Sequence, residues 1–326
     1  MTEEVLPGIF RMEIPIPRSP LKATNSYLIK GSDRNLLIDT GQNCQPALLA
    51  LQEGIAELGV DMNKTDIFLT HMHADHWGVA PFIKTDSTII YASDTDAAVI
   101  NDNLITASPL DFLFTAACRN GFFPSEAKKA IERHPGNDLG EKQPLEFRFV
   151  SEGNILSVGG FNLQCIETPG HTEGHICLYE PERKILFSGD HILGDITPNI
   201  TWYRETGNPL GAFLTSLQKI SALPVDMVLP GHRRLFSDCR GRIIELEEHH
   251  RHRLDEAYAV LAAGPLTGYQ VAALMTWDMV YSSWDEVAPA QKFFATGEAL
   301  SHLRQLECKS LVQRYCEREQ IFFRRK

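Results

Sequence analysis

Thr70-His71-Met72-His73-Ala74-Asp75-His76-Trp77-Gly78 sets three imidazoles and one carboxylate within six positions, directly after the apolar run Ile67-Phe68-Leu69. Side chains of this kind cannot be buried together without a partner. Imidazole and carboxylate together suit zinc, manganese or iron, and a catalytic metal keeps one position open for water or substrate. A His-x-His-x-Asp-His spacing is far more specific than a lone His-x-His. The competing reading, a solvated polar loop, fits the apolar run before it poorly.

Three further segments each put a ligand-type residue beside glycine at the end of an apolar run. They are Glu167-Thr168-Pro169-Gly170-His171, Phe187-Ser188-Gly189-Asp190 and Val228-Leu229-Pro230-Gly231-His232. Glycine permits the tight backbone turn such a position needs, and strand ends are where a rigid scaffold presents reactive groups. Each segment is weak alone; together with His71 to His76, in this order, they are strong. Asp39, in Leu37-Ile38-Asp39-Thr40-Gly41, repeats the pattern and competes with a turn or helix-cap role.

These motifs resemble those of metallo-β-lactamase superfamily hydrolases of the glyoxalase II-like type, over about residues 5–235. The resemblance implies an αββα sandwich and a site of two divalent metal ions, with zinc expected and iron or manganese as alternatives. It implies that His71, His73 and His171 hold one ion, that Asp75, His76 and His232 hold the other, and that Asp190 bridges them. It gives Asp39 a supporting role behind the ligands, fixing the tautomer of a histidine. The implied chemistry is hydrolysis by a hydroxide shared between two metals about 4 Å apart, the ions also stabilising the developing oxyanion. Asp75, between the two half-sites, is a candidate proton shuttle.

The elements that must position these groups are legible in outline. Tyr27–Ile29, Leu36–Ile38, Ile67–Leu69 and Ile89–Tyr91 read as strands, and residues 46–58 as a helix stopped at Gly59. Residues 93–145 change character: helices are expected over 93–104 and 125–133, flanking the aromatic stretch Leu110–Phe123. That stretch is either a helical hairpin packed on the sheet or a wall of a substrate pocket. Strands return over 147–150, 155–158, 161–167, 176–179 and 185–187, followed by a helix over 208–222 and a strand over 225–229. The first 240 residues are thus expected to form the catalytic domain, two sheets with helices outside and an insertion at about 93–145. Residues 241–326 read as a separate winged-helix-like domain: helices from about 243, over 267–275 and over 297–307, then a ribbon of 312–315 and 321–323 turning at Glu317-Arg318-Glu319.

Composition narrows the partners. The chain has 326 residues, 43% of them hydrophobic, and a formal net charge of −11, which argues against an electrostatic grip on nucleic acid. Its seven cysteines are scattered without a Cys-x-x-Cys, as expected of reduced, mostly buried thiols in a cytoplasmic protein. The start Met1-Thr2-Glu3-Glu4 lacks the basic and apolar regions of a signal peptide, and no run approaches a membrane span of about 20 apolar residues. His249, His250 and His252 read as a solvated helix face. His134 and His302 have no partner in sequence, and His191, Trp202 and Tyr203 are candidates for lining or packing near the site.

The tail resembles that of the β-lactamase-like protein 2 family, which suggests two substrates. The preferred one is a small-molecule acyl substrate, cleaved at an ester, thioester or lactone. The alternative is single-stranded RNA, cut by a metal-dependent endoribonuclease. Charge in 241–326 is nearly balanced, so the tail is read first as a packing unit, a lid edge or a homodimer surface, with Arg324-Arg325-Lys326 as a frayed basic tip. A binding protein with a structural metal is disfavoured because structural sites leave no open position. A mononuclear iron dioxygenase is a further alternative, tested by oxygen consumption with a persulfide.

Overall fold

The computed structural model describes residues 2–17, 19–105, 111–132, 144–202, 206–278 and 281–326. By contact the chain forms two compact units. One comprises residues 1–107, 138–198 and 216–243; the other comprises 108–137, 199–215 and 244–326.

The first unit carries two sheets. The seven-stranded sheet runs in chain order, β1 (Thr2–Leu6), β2 (Ile9–Pro15), β3 (Ala23–Ile29), β4 (Asn35–Ile38), β5 (Thr65–Phe68), β6 (Ile90–Ala92) and β7 (Phe147–Phe149). Pairing is antiparallel from β1 to β4 and parallel from β4 to β7. The second sheet has β8 (Ile155–Val158), β9 (Phe161–Glu167), β10 (Ile176–Glu180), β11 (Ile185–Gly189) and β12 (Met227–Pro230) in the order β12-β11-β10-β9-β8. The two sheets face one another across a core that includes Tyr27, Ile38, Phe68, Leu163, Leu178, Phe187 and Leu229. Every residue of β5, β10 and β11 is buried, as expected of strands covered on both faces.

On the outer face of the seven-stranded sheet lie α1 (Gln45–Glu57), α2 (Ala74–Trp77), α3 (Ala80–Ile83) and α4 (Asp94–Ile105). Leu51, Trp77, Ala80 and Ile100 close a second core there against Leu28, Leu37 and Ile67. Pro46 sits in the first turn of α1, where its missing N–H costs no hydrogen bond. This is the expected αββα sandwich.

The second unit is mostly helical. It contains α5 (Asp111–Arg119) and α6 (Pro124–Glu132), parts of α7 (Pro209–Ser221) and α8 (Cys239–Val260), then α9 (Gly268–Leu274) and α10 (Pro289–Cys308). A small sheet of β13 (Leu266–Thr267), β14 (Val312–Glu317) and β15 (Gln320–Arg325) completes it, in the order β13-β15-β14. Thr267 starts α9 with a reciprocal capping box to Gln270. Arg318 and Glu319, both at positive φ, make the two-residue turn between β14 and β15. Helices α8 to α10 with this ribbon form a winged-helix-like extension.

Several expectations change here. The aromatic stretch holds a helix, α5 (Asp111–Arg119), while Leu110 lies outside the described residues. Phe122 is buried in the second unit's own core, 4.7 Å from the Tyr269 ring. Helix α10 begins at Pro289, well before Gly297. The basic tip is not frayed, since Arg325 donates to the Tyr258 and Ala259 carbonyls and stacks on the Tyr258 ring. Of the seven cysteines, Cys165, Cys177 and Cys239 are buried and Cys308 and Cys316 are exposed. Among the described residues, no helix is long and apolar enough to cross a membrane.

Candidate metal centre

The first unit gathers the sequence-marked residues along one edge of the sandwich. Asp39 follows β4; His71 and His73 follow β5; Asp75 and His76 lie in α2; His171 follows β9; Asp190 follows β11; and His232 follows β12. Strands β4 and β5 are parallel, as are β11 and β12, so their carboxyl ends emerge on the same side, where open α/β sheets bind ligands.

Three overlapping groups of donor atoms result: His71, His73 and His171; His71, His76 and Asp190; and Asp75, His76 and His232, each within 4.8 Å. His73 Nδ1 lies 3.1 Å from His71 Nε2 and 2.8 Å from His171 Nε2. Asp190 stands between the groups. Its Oδ2 is 3.6 Å from His171 Nε2 and 3.4 Å from His232 Nε2, and its Oδ1 is 3.6 Å from His76 Nε2. Asp75 Oδ2 is 3.4 Å from His232 Nε2.

The ring nitrogens that face away from the centre are held by the protein. His232 Nδ1–H donates to the Ala23 carbonyl at 2.7 Å. His76 Nδ1–H donates to Asp39 Oδ2 at 2.7 Å. The Thr70 hydroxyl donates to the same Asp39 oxygen at 2.8 Å, leaving its own oxygen to accept from His71 Nδ1 at 3.0 Å. Asp39 Oδ1 accepts the Thr70 N–H at 2.9 Å. Asp39 is thus no turn or cap residue; it is buried and sits in the left-handed region at φ 57°, a cost of about 1–3 kcal/mol for a non-glycine residue. These bonds tie Nδ1 of His71, His76 and His232 to the protein and turn Nε2 of each toward the centre.

Sequence reasoning passed over His175, four residues after His171. Burial, with His191 and His171 nearby, holds it well below the usual histidine range. It makes a hydrogen bond with the Thr168 hydroxyl at 2.7 Å, and its Nε2 accepts the Asp190 N–H at 3.1 Å. The ring therefore fixes the backbone that carries the central carboxylate. Gly189, at φ 47°, makes room for it: a Cβ there would lie 2.7 Å from His175 Nε2.

The electrostatics divide the histidines. Burial keeps His71 well below its ordinary range and brings His73 down to about 3, so both are neutral and fit to ligate. Burial opposes the charge on His76 too, but Asp39, Asp190 and Asp75 outweigh it and raise that ring well above its ordinary range. Against the same burial, Asp190 and Asp75 raise His232 to about 10. Asp75 and Asp190 remain ionised: burial opposes their charge, but the neighbouring His76 and His232 outweigh burial at both. Without a cation, protons on His76 and His232 balance the carboxylates.

The residues present fit a pair of divalent cations. Ring nitrogens and ionised carboxylates converge on one volume, and the buried Asp190 Oδ1 has no hydrogen-bond partner, which an apolar or purely structural role leaves unexplained.

Other histidines and aromatics fall elsewhere. His191 is fully buried, its ring 6.1 Å from that of His175. In the second unit, Trp202 donates its indole N–H to the Thr206 carbonyl at 2.8 Å and packs under Arg304 and Arg314. Tyr203 and His134 lie outside the described residues. The solvated-face reading fails for His250, which is fully buried against His302, and holds for His252, which is exposed.

Comparison with known proteins bears on the same segments. A model of the family described as "Metallo-beta-lactamase superfamily" matches residues 20–232. A probable metallo-hydrolase of Bacillus subtilis is 26% identical over 307 residues, covering 91% of this chain and 92% of that protein. An atrochrysone carboxyl ACP thioesterase of Paecilomyces divaricatus is 25% identical over 68% of this chain, which spans about half, 54%, of that relative's length. The crystal structure of a metallo-beta-lactamase family protein from Thermus thermophilus superposes with a TM-score of 0.82 at 28% identity, covering 99% of this chain and 100% of the other.

Proposed function

The chain belongs to the metallo-beta-lactamase superfamily, and on that premise we propose that it is a dinuclear metallohydrolase that cleaves a thioester, ester or lactone of a small acyl substrate. The observation that carries the reading is the aim of the donors. Seven side chains from four segments bring ligand atoms to one volume around the Asp190 carboxylate. His71, His73 and His171 would hold one ion and Asp75, His76 and His232 the other, with Asp190 between the two groups. Zinc fits this imidazole–carboxylate set, as do iron and manganese. Such ions would supply Lewis acidity, bringing the pKa of water toward about 7 and polarising a carbonyl.

The chain's own residues do the rest. Asp39 holds the His76 ring and, through Thr70, the His71 ring. Asp75, ionised and the less buried of the two central carboxylates at 17% against 9% side-chain exposure, is placed to take a proton from water and return it to the leaving group. No serine or cysteine nucleophile is required.

The substrate class is supported by the net charge of −11 and by the curated thioesterase among the relatives. A glyoxalase II-like affiliation fits this chemistry. As the functional division we propose residues 1–240 as hydrolase and 241–326 as winged-helix-like appendage. The endoribonuclease reading is the weaker one, because Arg325, the middle residue of the basic tip, is engaged with α8 carbonyls and Tyr258. The deciding experiment presents the zinc-loaded protein, beside a chelator-treated control, with acyl thioesters, lactones and fluorescent single-stranded RNA. Chelator-sensitive turnover of a thioester or lactone is expected; chelator-sensitive cleavage of RNA alone would overturn the assignment.

A further inference from the structure

One buried carboxylate lies outside the ligand set and joins both loops that carry the first histidine group. Asp96, in the first turn of α4, is 1% exposed. Its Oδ2 accepts the Met72 N–H at 2.9 Å and the Thr172 hydroxyl at 2.6 Å, and its Oδ1 accepts the Gly174 N–H at 2.9 Å. Met72 stands between His71 and His73. Thr172 and Gly174 follow His171 and precede His175. The approach is close: a Cβ on Gly174 would lie 2.7 Å from Asp96 Oδ1 and 2.2 Å from the Ser93 hydroxyl oxygen. Among the described residues, nothing comparable ties Asp96 to the second group, whose His76 and His232 are held instead by Asp39 and the Ala23 carbonyl.

An acidic residue in a first helical turn is favourable without any further role, but it then belongs at the surface. Burial works against this carboxylate, pushing it up to about 6 even though Thr172, Gly174 and Met72 all oppose the rise. A folded chain that places a carboxylate here meets a cost that a neutral residue avoids, and three converging donors from two loops offset it.

We propose that Asp96 is a positioning residue for one half of the metal centre: by clamping the His71–His73 loop to the His171–His175 loop, it sets the affinity of the group formed by His71, His73 and His171 and leaves that of Asp75, His76 and His232 unchanged. The proposal rests on the dinuclear reading above. Asp96 touches no ligand side chain; it acts through backbone and the Thr172 hydroxyl.

The test is a zinc titration of the metal-free protein in competition with a chromophoric chelator, on wild type, Asp96→Asn and His171→Ala. Wild type should show two binding steps, and the step lost in His171→Ala marks the first group. In Asp96→Asn that same step should weaken about 10- to 100-fold, the scale on which partners behind metal ligands act, while the other step stays within about twofold. In the metal-free state, amide exchange should quicken at Met72 and Gly174. Thr172→Val removes one arm of the clamp and guards against poor folding of Asp96→Asn; a weakening of a few-fold in the same step is expected. Equal weakening of both steps, or unchanged isotherms with a lowered melting temperature, would show that Asp96 only stabilises the fold. Absence of zinc binding by wild type would instead remove the dinuclear reading itself.

Discussion

Two clusters of buried histidines occupy the two compact units, and they are built to opposite ends. In the first unit, His71, His76 and His232 each direct one ring nitrogen to a protein partner and keep the other for the centre around Asp190. In the second unit, His302 Nδ1–H donates to the Glu298 carbonyl at 2.8 Å, and its Nε2 lies 3.2 Å from His250 Nδ1, accepting that proton. His302 thus has one ring nitrogen engaged by the backbone and the other by the neighbouring ring. Charge separates the two as sharply. Asp39, Asp75 and Asp190 raise His76, whereas burial, the neighbouring rings and the Arg253 cation bring His250 down to about 2. Buried histidines alone therefore do not make a metal site; ionised carboxylates set among them do.

Breaking that comparison begins with His73→Ala. Loss of a ligating nitrogen should cut hydrolysis by about three orders of magnitude, the scale seen when a group that stabilises developing charge is removed, and lower the bound metal measured by atomic emission. His302→Ala should leave metal content at the wild-type level and act on stability alone. Wild-type metal in His73→Ala, or metal loss in His302→Ala, would erase the distinction. Next is Asp39→Asn. The isosteric amide keeps an acceptor for Thr70 but removes the negative charge behind His76, so zinc affinity should fall about 10- to 100-fold with little change in melting temperature. Unchanged affinity would mean that a backbone anchor like the Ala23 carbonyl suffices for His76 as well.

The contrast also explains what could be read from the chain. Strands β5, β10 and β11 are buried on both faces and so appear as plain apolar runs; the glycines after β9, in β11 and after β12 mark where ligands emerge. The ligand set was legible because its members sit at those ends. Asp96 carried no such mark, since its partners Met72 and Gly174 lie 24 and 78 positions away. His175 had a usable signal, its place four residues after His171. His250 misled for the converse reason: Glu247-Glu248-His249-His250-Arg251-His252 reads as a solvated face, and the residue that buries it, His302, is 52 positions on. The two residues of β13 are too few to show a period.

The smallest expected effect is on the acid limb of stability, and it tests the second cluster on its own terms. Burial brings His250 down to about 2 and His302 to about 3, against 6.5 for the free side chain. Between those values the unfolded chain binds protons that the native pair refuses, so stability falls as pH drops through 6.5 and goes on falling toward 3. Each such histidine contributes a slope of at most about 1.4 kcal/mol per pH unit. Glu298 works in the opposite sense: its carboxyl, pushed up to about 7 by burial, takes up protons more readily in the native state than when unfolded, so its contribution to stability is lost as pH rises toward 7. Replacing His250 with leucine removes one histidine and leaves Glu298 in place. Urea unfolding of metal-free protein at about pH 6.5, 5.5 and 4.5 should therefore give a shallower loss of stability in His250→Leu than in wild type, by roughly the share of one histidine. Parallel curves would mean that the native pair takes up a proton as readily as the unfolded chain, and the electrostatic contrast with the metal centre would then rest on the carboxylates alone.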